Sequence, residues 1–340
     1  MRTLRFAAIG AGFWARFQIA GWRETGGAEC VAIYNRTQAK AKLLASEIGI
    51  PKVYETAEEM LSHEQVDFVD VITGVETHRL YVEMAASKKF PVVCQKPLGT
   101  SLADAEAAVE ACQRAGVPLL VNENWRWQTP IRRLHAELAK GDIGKPFRAR
   151  MDMVSGFPVF DNQPFLRTLE QFILTDIGSH VLDTARFLFG EADSLYCQTQ
   201  RIHTDIAGED VATVVLRMRS GATAIVNMGY AGNYLEHDRF PETYVFIEGS
   251  RGSLELGPDF WIRKTTSTGT HSYRWPPRHY PWADPAYDVV HASIVDCQAN
   301  LAAALRGDSL AETTGSDNLN TVRLVFAAYE SARSGNAVRL

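Results

Sequence analysis

FAAIGAGFWARFQIAG (residues 6–21) runs from an apolar stretch through a glycine turn into a helical pattern. It reads either as a phosphate cradle or as a bare strand-to-helix turn, and the choice decides the fold of the first part of the chain. Gly10 permits the tight turn, and Gly12 lets backbone N–H groups approach a pyrophosphate at the N-terminus of the next helix. The third glycine place holds Ala15, small enough for helix–strand packing, and Phe13 and Trp14 complete the loop. A motif of this size is weak alone, so its surroundings carry the decision.

Working outward, short apolar runs alternate with helical patterns over the first 122 residues. The runs occupy 4–10, 29–35, 68–73, 91–94 and 118–122, with a short one at 53–55, and helix-like segments such as 38–49 and 102–116 separate them. Apolar strands joined by amphipathic helices predict a parallel sheet covered on both faces. Right-handed crossovers favour a doubly wound topology of two mononucleotide-binding halves. After residue 123 the pattern changes. A helix is predicted over 129–144, then period-two strands at 147–155, 195–202, 211–218, 222–230 and 243–249, interrupted by a helix at 175–190 and followed by helices at 288–306 and 316–334. The expected α/β architecture is a Rossmann domain over 1–123 and an α+β domain over 124–340 with a large, mostly antiparallel open sheet. The second domain carries substrate binding and oligomerisation, and its C-terminal helices have the option of packing back on the first.

Composition narrows the class. The 340 residues are 46% hydrophobic and 22% charged, with 35 Lys plus Arg against 40 Asp plus Glu. No basic block stands out, which argues against nucleic-acid and anionic-membrane partners. The five cysteines are dispersed without a CxxC pair, as expected of reduced thiols in a cytoplasmic protein. MRTLRFAAIGAGFWA has the look of a leader, but its apolar centre is a strand feeding the glycine motif, so mature protein is expected.

Three further stretches carry chemistry. At the end of the second run stands Tyr34-Asn35-Arg36-Thr37, with no carboxylate to bind a ribose 2′-OH or repel a 2′-phosphate. Asn35 suits a ribose hydroxyl, and Arg36 reads either as a solvated charge or as a partner of adenine or phosphate. NAD and NADP both remain open. VVCQKPLGTS (92–101) sets Lys96 at the carboxyl end of the fifth strand, the edge where ligands of such sheets bind, with Pro97 stiffening the loop. A partly desolvated lysine there orients a substrate hydroxyl and passes its proton. Asp176 and His180 are one helical turn apart and share a face, while Ile177, Val181, Ala185 and Leu188 form a stripe toward the core. An imidazole is suited to taking a hydroxyl proton near neutral pH. Asp176 reads as its partner or as an N-cap. Asp183 lies near the same face, but no fourth ligand accompanies the three, and no metal is expected.

Taken in order, these stretches resemble the glucose–fructose oxidoreductase / inositol dehydrogenase / MocA (Gfo/Idh/MocA) family of nicotinamide-dependent oxidoreductases. GAGFWA resembles the family's phosphate loop. VITGVETH (71–78) is similar to its Thr-Pro-x-x-x-His segment, with Thr73 and His78 matching and Gly74 in the proline's place. QKPLGTS (95–101) resembles its Glu-Lys-Pro loop, with Gln95 in the glutamate's place. LTDIGSHVLDTARFLFG (174–190) resembles its Asp-x-x-x-His helix, and the ending SARSGNAVRL has the family's shape. The resemblance implies a cofactor site that adds Thr73, His78, Gln95, Lys96 and Pro97 to the glycine loop, and catalysis by Lys96, Asp176 and His180.

It also implies a substrate-lining arginine after the sixth strand, where VNENWRWQTPIRR (121–133) offers Arg126. Asn122, Trp125, Trp127 and Gln128 add aromatic faces and hydrogen-bonding groups suited to a polyhydroxylated ligand; the tryptophans read equally as packing. The expected substrate is a sugar oxidised from aldose to aldonolactone, or a polyol. Two other family activities are weighed beside it, a redox-cycling glycosidase and a non-catalytic dinucleotide-sensing regulator. RHYPWADP (278–285) is an aromatic loop whose position nothing fixes. An open sheet leaves a face needing cover, and the alternating apolar positions of 211–230 predict a homodimer or homotetramer.

Overall fold

The apolar run at the N-terminus forms β1 (Leu4–Ile9), in which every residue except Arg5 is buried. A strand covered on both faces belongs in the middle of a parallel sheet. In the computed structural model, which describes residues 2–232 and 240–340, β1 pairs in parallel with β2 (Ala28–Tyr34) and β4 (Phe68–Val71). The remaining strands of this sheet are β3 (Lys52–Tyr54), β5 (Val92–Gln95) and β6 (Leu119–Asn122), in the order β3-β2-β1-β4-β5-β6. The order reverses direction between β1 and β4, the topological switch point of a doubly wound sheet.

Helices α1 (Phe13–Glu24), α2 (Gln38–Ile48), α3 (Ala57–His63), α4 (His78–Ser87) and α5 (Leu102–Ala115) make the crossovers. Phe6, Trp22 and Phe68 meet at ring distances of 4.9–5.8 Å and centre the core between α1 and the sheet. Gly49 and Gly116 end α2 and α5 in the left-handed region, where a glycine carries no Cβ penalty.

Two compact units divide the chain. The first comprises Met1–Asn124, Tyr280–Asp284 and His291–Val322; the second comprises Trp125–His279, Pro285–Val290 and Arg323–Leu340. The second unit is built on a nine-stranded sheet. Its strands are β7 (Pro146–Val154), β8 (Ala192–Gln200), β9 (Val211–Met218), β10 (Thr223–Gly229), β11 (Tyr244–Gly249), β12 (Gly252–Leu256), β13 (Trp261–Thr266), β14 (Gly269–Arg274) and β15 (Val338–Arg339). They lie in the order β14-β13-β12-β11-β7-β10-β9-β8-β15, antiparallel except for the β7–β10 pair.

Helix α6 (Thr129–Ala139) stops short of the predicted residue 144, because Gly141 and Gly144 both take left-handed backbone at φ +72° and +75°. A short α7 (Val159–Asn162) precedes α8 (Ile173–Phe189), which lies over β7, β9 and β10. At Gly178 α8 packs tightly on the sheet, since an added Cβ would stand 3.1 Å from Met228 Sδ on β10. The alternating apolar positions of 211–230, expected to need a second chain, face this helix instead. Ala212, Val214, Leu216, Ala224, Val226 and Met228 are buried within one chain, and the sheet's other face is mixed in character.

Helices α9 (Asp288–Arg306) and α10 (Gly315–Ser334) precede the edge strand β15. Among the described residues no helix is long and apolar enough to cross a membrane.

Candidate active site

In the first unit the sequence-predicted cofactor residues gather past the carboxyl ends of the strands. Gly10 sits at φ +119° with its N–H donated to Tyr34 O, and a Cβ there would stand 2.4 Å from Ile72 O. Only glycine fits this place at the switch point. Gly12 differs. Its backbone is ordinary and open space lies where a Cβ would project, in front of the uncapped first turn of α1. Free N–H groups and a cleared approach suit a pyrophosphate, so the loop fits the dinucleotide that the sequence pattern implies.

Ala15 is fully buried, Phe13 is half exposed and Trp14 is half-buried. Asn35 accepts from the Ala11 N–H at 3.0 Å and donates to Thr37 O, so its amide braces the glycine loop; Arg36 beside it is exposed.

Two loops meet at the ends of β4 and β5. The Thr73 hydroxyl lies 2.8 Å from that of Thr77. His78, predicted to touch the cofactor, is buried and turns its two ring nitrogens to Pro97 O at 2.8 Å and Thr73 O at 3.1 Å. Burial lowers its pKa, so the ring is neutral and donates to one of the two carbonyls. The ring thus stands between the Thr73 loop and the lysine loop, with both nitrogens turned to protein carbonyls. Gln95, Lys96 and Pro97 are half-buried, and Gln95 Oε1 accepts the Lys96 N–H at 2.7 Å. Beside Gln95 in the parallel register stands Asn122, buried, with an Oδ1 that has no hydrogen-bond partner among the described residues. An orphaned acceptor at the ligand edge of the sheet is a place for a ligand hydroxyl.

The aromatic loop near residue 280 also finds its position in the first unit. Trp282 stacks on Tyr280 at 5.7 Å and donates to Glu24 on α1. His291 stacks on Phe17 at 4.5 Å, and Phe17 in turn meets Phe13 and Trp14. An aromatic cluster thus lines the helix that begins at the glycine loop.

In the second unit, α8 carries Asp176 and His180. The helix is buried nearly all round, with only Thr175, Asp176 and Phe187 left half-buried, rather than split into an apolar and a polar face. Its first residue is Ile173, so Asp176 lies inside the first turn and is not the N-cap. Acidic charge there complements the helix dipole. The His180 ring is 5% exposed and lies flat against Trp125 at 4.5 Å, with 23° between planes. Trp125 is fixed by its indole N–H donated to Thr243 Oγ1 at 2.9 Å. Burial and the Asp176 charge push the Tyr230 hydroxyl well up, so it keeps its proton.

Arg126 is buried and makes a bidentate pair with Asp183, at 2.6 and 2.5 Å. This pairing holds the carboxylate weighed above as a metal ligand. Trp127 stacks under Arg132 at 4.3 Å, and Arg132 also covers Phe187. The pattern in 121–133 thus yields a ring on His180 and a brace on α8, contacts that spacing alone does not show.

Comparison with known proteins agrees with these observations. The oxidoreductase family described as having an NAD-binding Rossmann fold matches residues 4–123, and the Gfo/Idh/MocA C-terminal domain matches 131–255. A D-apiose dehydrogenase of Paraburkholderia graminis is 42% identical over 340 residues, covering 100% of this chain and 90% of the relative. One from Rhizobium rhizogenes is 41% identical, covering 99% and 98% of the two chains. The crystal structure of an oxidoreductase from Agrobacterium radiobacter in complex with NAD+, L-tartaric acid and magnesium superposes with a TM-score of 0.96 at 41% identity, covering 99% of this chain and 98% of that one. The chain belongs to the Gfo/Idh/MocA family and is an NAD(P)-dependent oxidoreductase.

Proposed function

We propose that the protein is a sugar dehydrogenase acting on a CH–OH group, oxidising an aldose, D-apiose first among candidates, to its lactone. The observation that carries the chemistry is the His180 ring, buried and held flat by Trp125 one helical turn beyond Asp176. Full-length relatives named D-apiose dehydrogenases support the substrate. Bound NAD or NADP supplies the hydride acceptor. Lys96 holds the reacting oxygen, His180 takes the hydroxyl proton as the carbonyl forms, and Asp176 stabilises the imidazolium. Asn122 offers an acceptor to a sugar hydroxyl. Arg126 supports this machinery through α8. The glycosidase and regulator readings give way, since the named relatives are dehydrogenases. On this reading the protein works in the cytoplasm, in keeping with five buried cysteines that form no disulfide. It also assembles as a homodimer or homotetramer through the outer face of its second sheet.

A panel of aldoses and polyols assayed with NAD+ and NADP+, followed by the near-ultraviolet absorbance of reduced nicotinamide, tests the reading. Turnover is expected with D-apiose and reduced cofactor should accumulate. Release of free sugar from an added glycoside without net reduction would favour a glycosidase, and no turnover with any sugar would end the proposal. Lys96→Ala is expected to lose about 10²- to 10⁴-fold in kcat, with dinucleotide affinity by fluorescence titration nearly unchanged. Full turnover in that variant would remove Lys96 from the mechanism.

A further inference from the structure

Inside the first unit a chain of hydrogen bonds runs from the lysine loop into the core. The Lys96 N–H donates to Gln95 Oε1 at 2.7 Å, Gln95 Nε2 donates to Gln18 Oε1 at 2.9 Å, and Gln18 Nε2 donates to Asp70 Oδ1 at 2.7 Å. The indole N–H of Trp22 closes the far end on Asp70 Oδ2 at 2.7 Å. Asp70 and Trp22 are fully buried and Gln18 nearly so.

The ends of this chain dictate its direction. A backbone N–H only donates, and a carboxylate only accepts. Between them, two side-chain amides have one head-to-tail arrangement that leaves no donor facing a donor and no acceptor facing an acceptor. Asp70 must receive the Gln18 NH2, which turns Gln18 Oε1 toward residue 95, which must then be a donor. Glutamine meets that demand. A glutamate in that place would set a carboxylate against an amide oxygen. The departure of Gln95 from the family's Glu-Lys-Pro loop and the presence of a charged residue within the apolar strand β4 are therefore one feature. We infer that Asp70 is a positioning residue for the lysine loop, its carboxylate setting the polarity of a buried amide relay, Gln18–Gln95, that anchors the Lys96 backbone.

The relay predicts a specific rescue. With Asp70→Asn and Gln95→Glu together, the new amide in β4 accepts from Trp22 and donates to Gln18. The Gln18 amide then turns over and donates to the new carboxylate at the end of β5, which accepts the Lys96 N–H. Every bond is restored, with the Gln18 links reversed in polarity. Each substitution alone leaves one mismatch.

The importance of the loop for turnover rests on the role proposed above for Lys96, so the first readout is independent of it. Amide hydrogen exchange of the segment 92–101 is measured at pH 8.5 in protein without cofactor or sugar. Each single variant is expected to exchange about tenfold faster, and the double variant to return to the wild-type rate. Turnover is expected to follow, with kcat falling about tenfold in the single variants, KM changing less, and kcat recovering in the double variant. If Asp70→Asn alone fails to fold, a folded double variant supports the relay. A double variant that exchanges as fast as the worse single one, or that fails to fold, overturns the inference. So does a Gln95→Glu protein indistinguishable from wild type. Exchange that follows the pattern while turnover ignores it upholds the relay and removes Lys96 from catalysis.

Discussion

Asp70 stands alone as a carboxylate in the run Phe68–Val71, buried on every side. Desolvation raises its pKa from 3.8 to about 7, and the hydrogen bonds from Trp22 and Gln18 offset only part of the rise. Cys30 and Cys94 lie close enough for its charge to help hold their thiols up, and both stay neutral. The native state therefore binds the Asp70 proton more tightly than the unfolded chain does. Stability from this group is fully present below pH 3.8 and is lost as pH rises to about 7, above which nothing more is lost. Between pH 5 and pH 8 the loss amounts to about 2–3 kcal/mol. Urea denaturation of the wild type and Asp70→Asn at both pH values isolates this, because all other titrations cancel in the comparison. The variant is expected to gain on the wild type as pH rises; a gap independent of pH would show that Asp70 does not titrate in this range.

The turn between β1 and α1 separates two uses of glycine. Gly10→Ala puts a Cβ against Ile72 O in left-handed backbone, and is expected to cost about 2–4 kcal/mol in urea denaturation. Gly12→Ala meets nothing and keeps ordinary backbone, so stability should change little. Dinucleotide affinity is expected to fall about tenfold, because the Cβ occupies the phosphate approach. A Gly12→Ala protein that binds NAD+ and NADP+ as the wild type does would remove the loop from the cofactor site. The turn is legible in the sequence because its demands are local. The same holds for α9 and α10, whose bounds fall within a residue of the apolar periodicity. Strand β14 escapes a sequence reading because all its residues are exposed, so it shows no alternation. Helix α6 reads too long because Ile143, buried in the following turn, continues the apolar spacing. The site divides likewise. Candidates at strand ends can be proposed from local sequence, whereas Gln18 and Asp70 stand 52 residues apart and Gln95 and Gln18 77 apart, and no local pattern links them.

For the molecule as a whole, the open sheet of the second unit sets the expected assembly. Its inner face is filled by α8, so any partner must meet the outer one. Along that face Val215 and Ile225 stand opposite one another on β9 and β10, half-buried, with Tyr196 and Phe246 more than a third exposed on β8 and β11. A polar ladder crosses beside them. Thr213 donates to Asn227, Asn227 donates to Asp152, and Arg150 pairs with Asp152, at 2.7–2.9 Å. Thr213, Asn227 and Asp152 satisfy one another within one chain, and the apolar positions beside them gain from leaving water. Light scattering at micromolar concentration is expected to give a dimer or tetramer. Ile225→Arg should yield a folded monomer, since an arginine in the covered face would bury an unpaired charge. The α8 side, which carries Asp176 and His180, is untouched by that change, so its melting temperature and secondary structure are the control. A wild-type monomer, or an Ile225→Arg protein that still assembles, would remove this face from the interface.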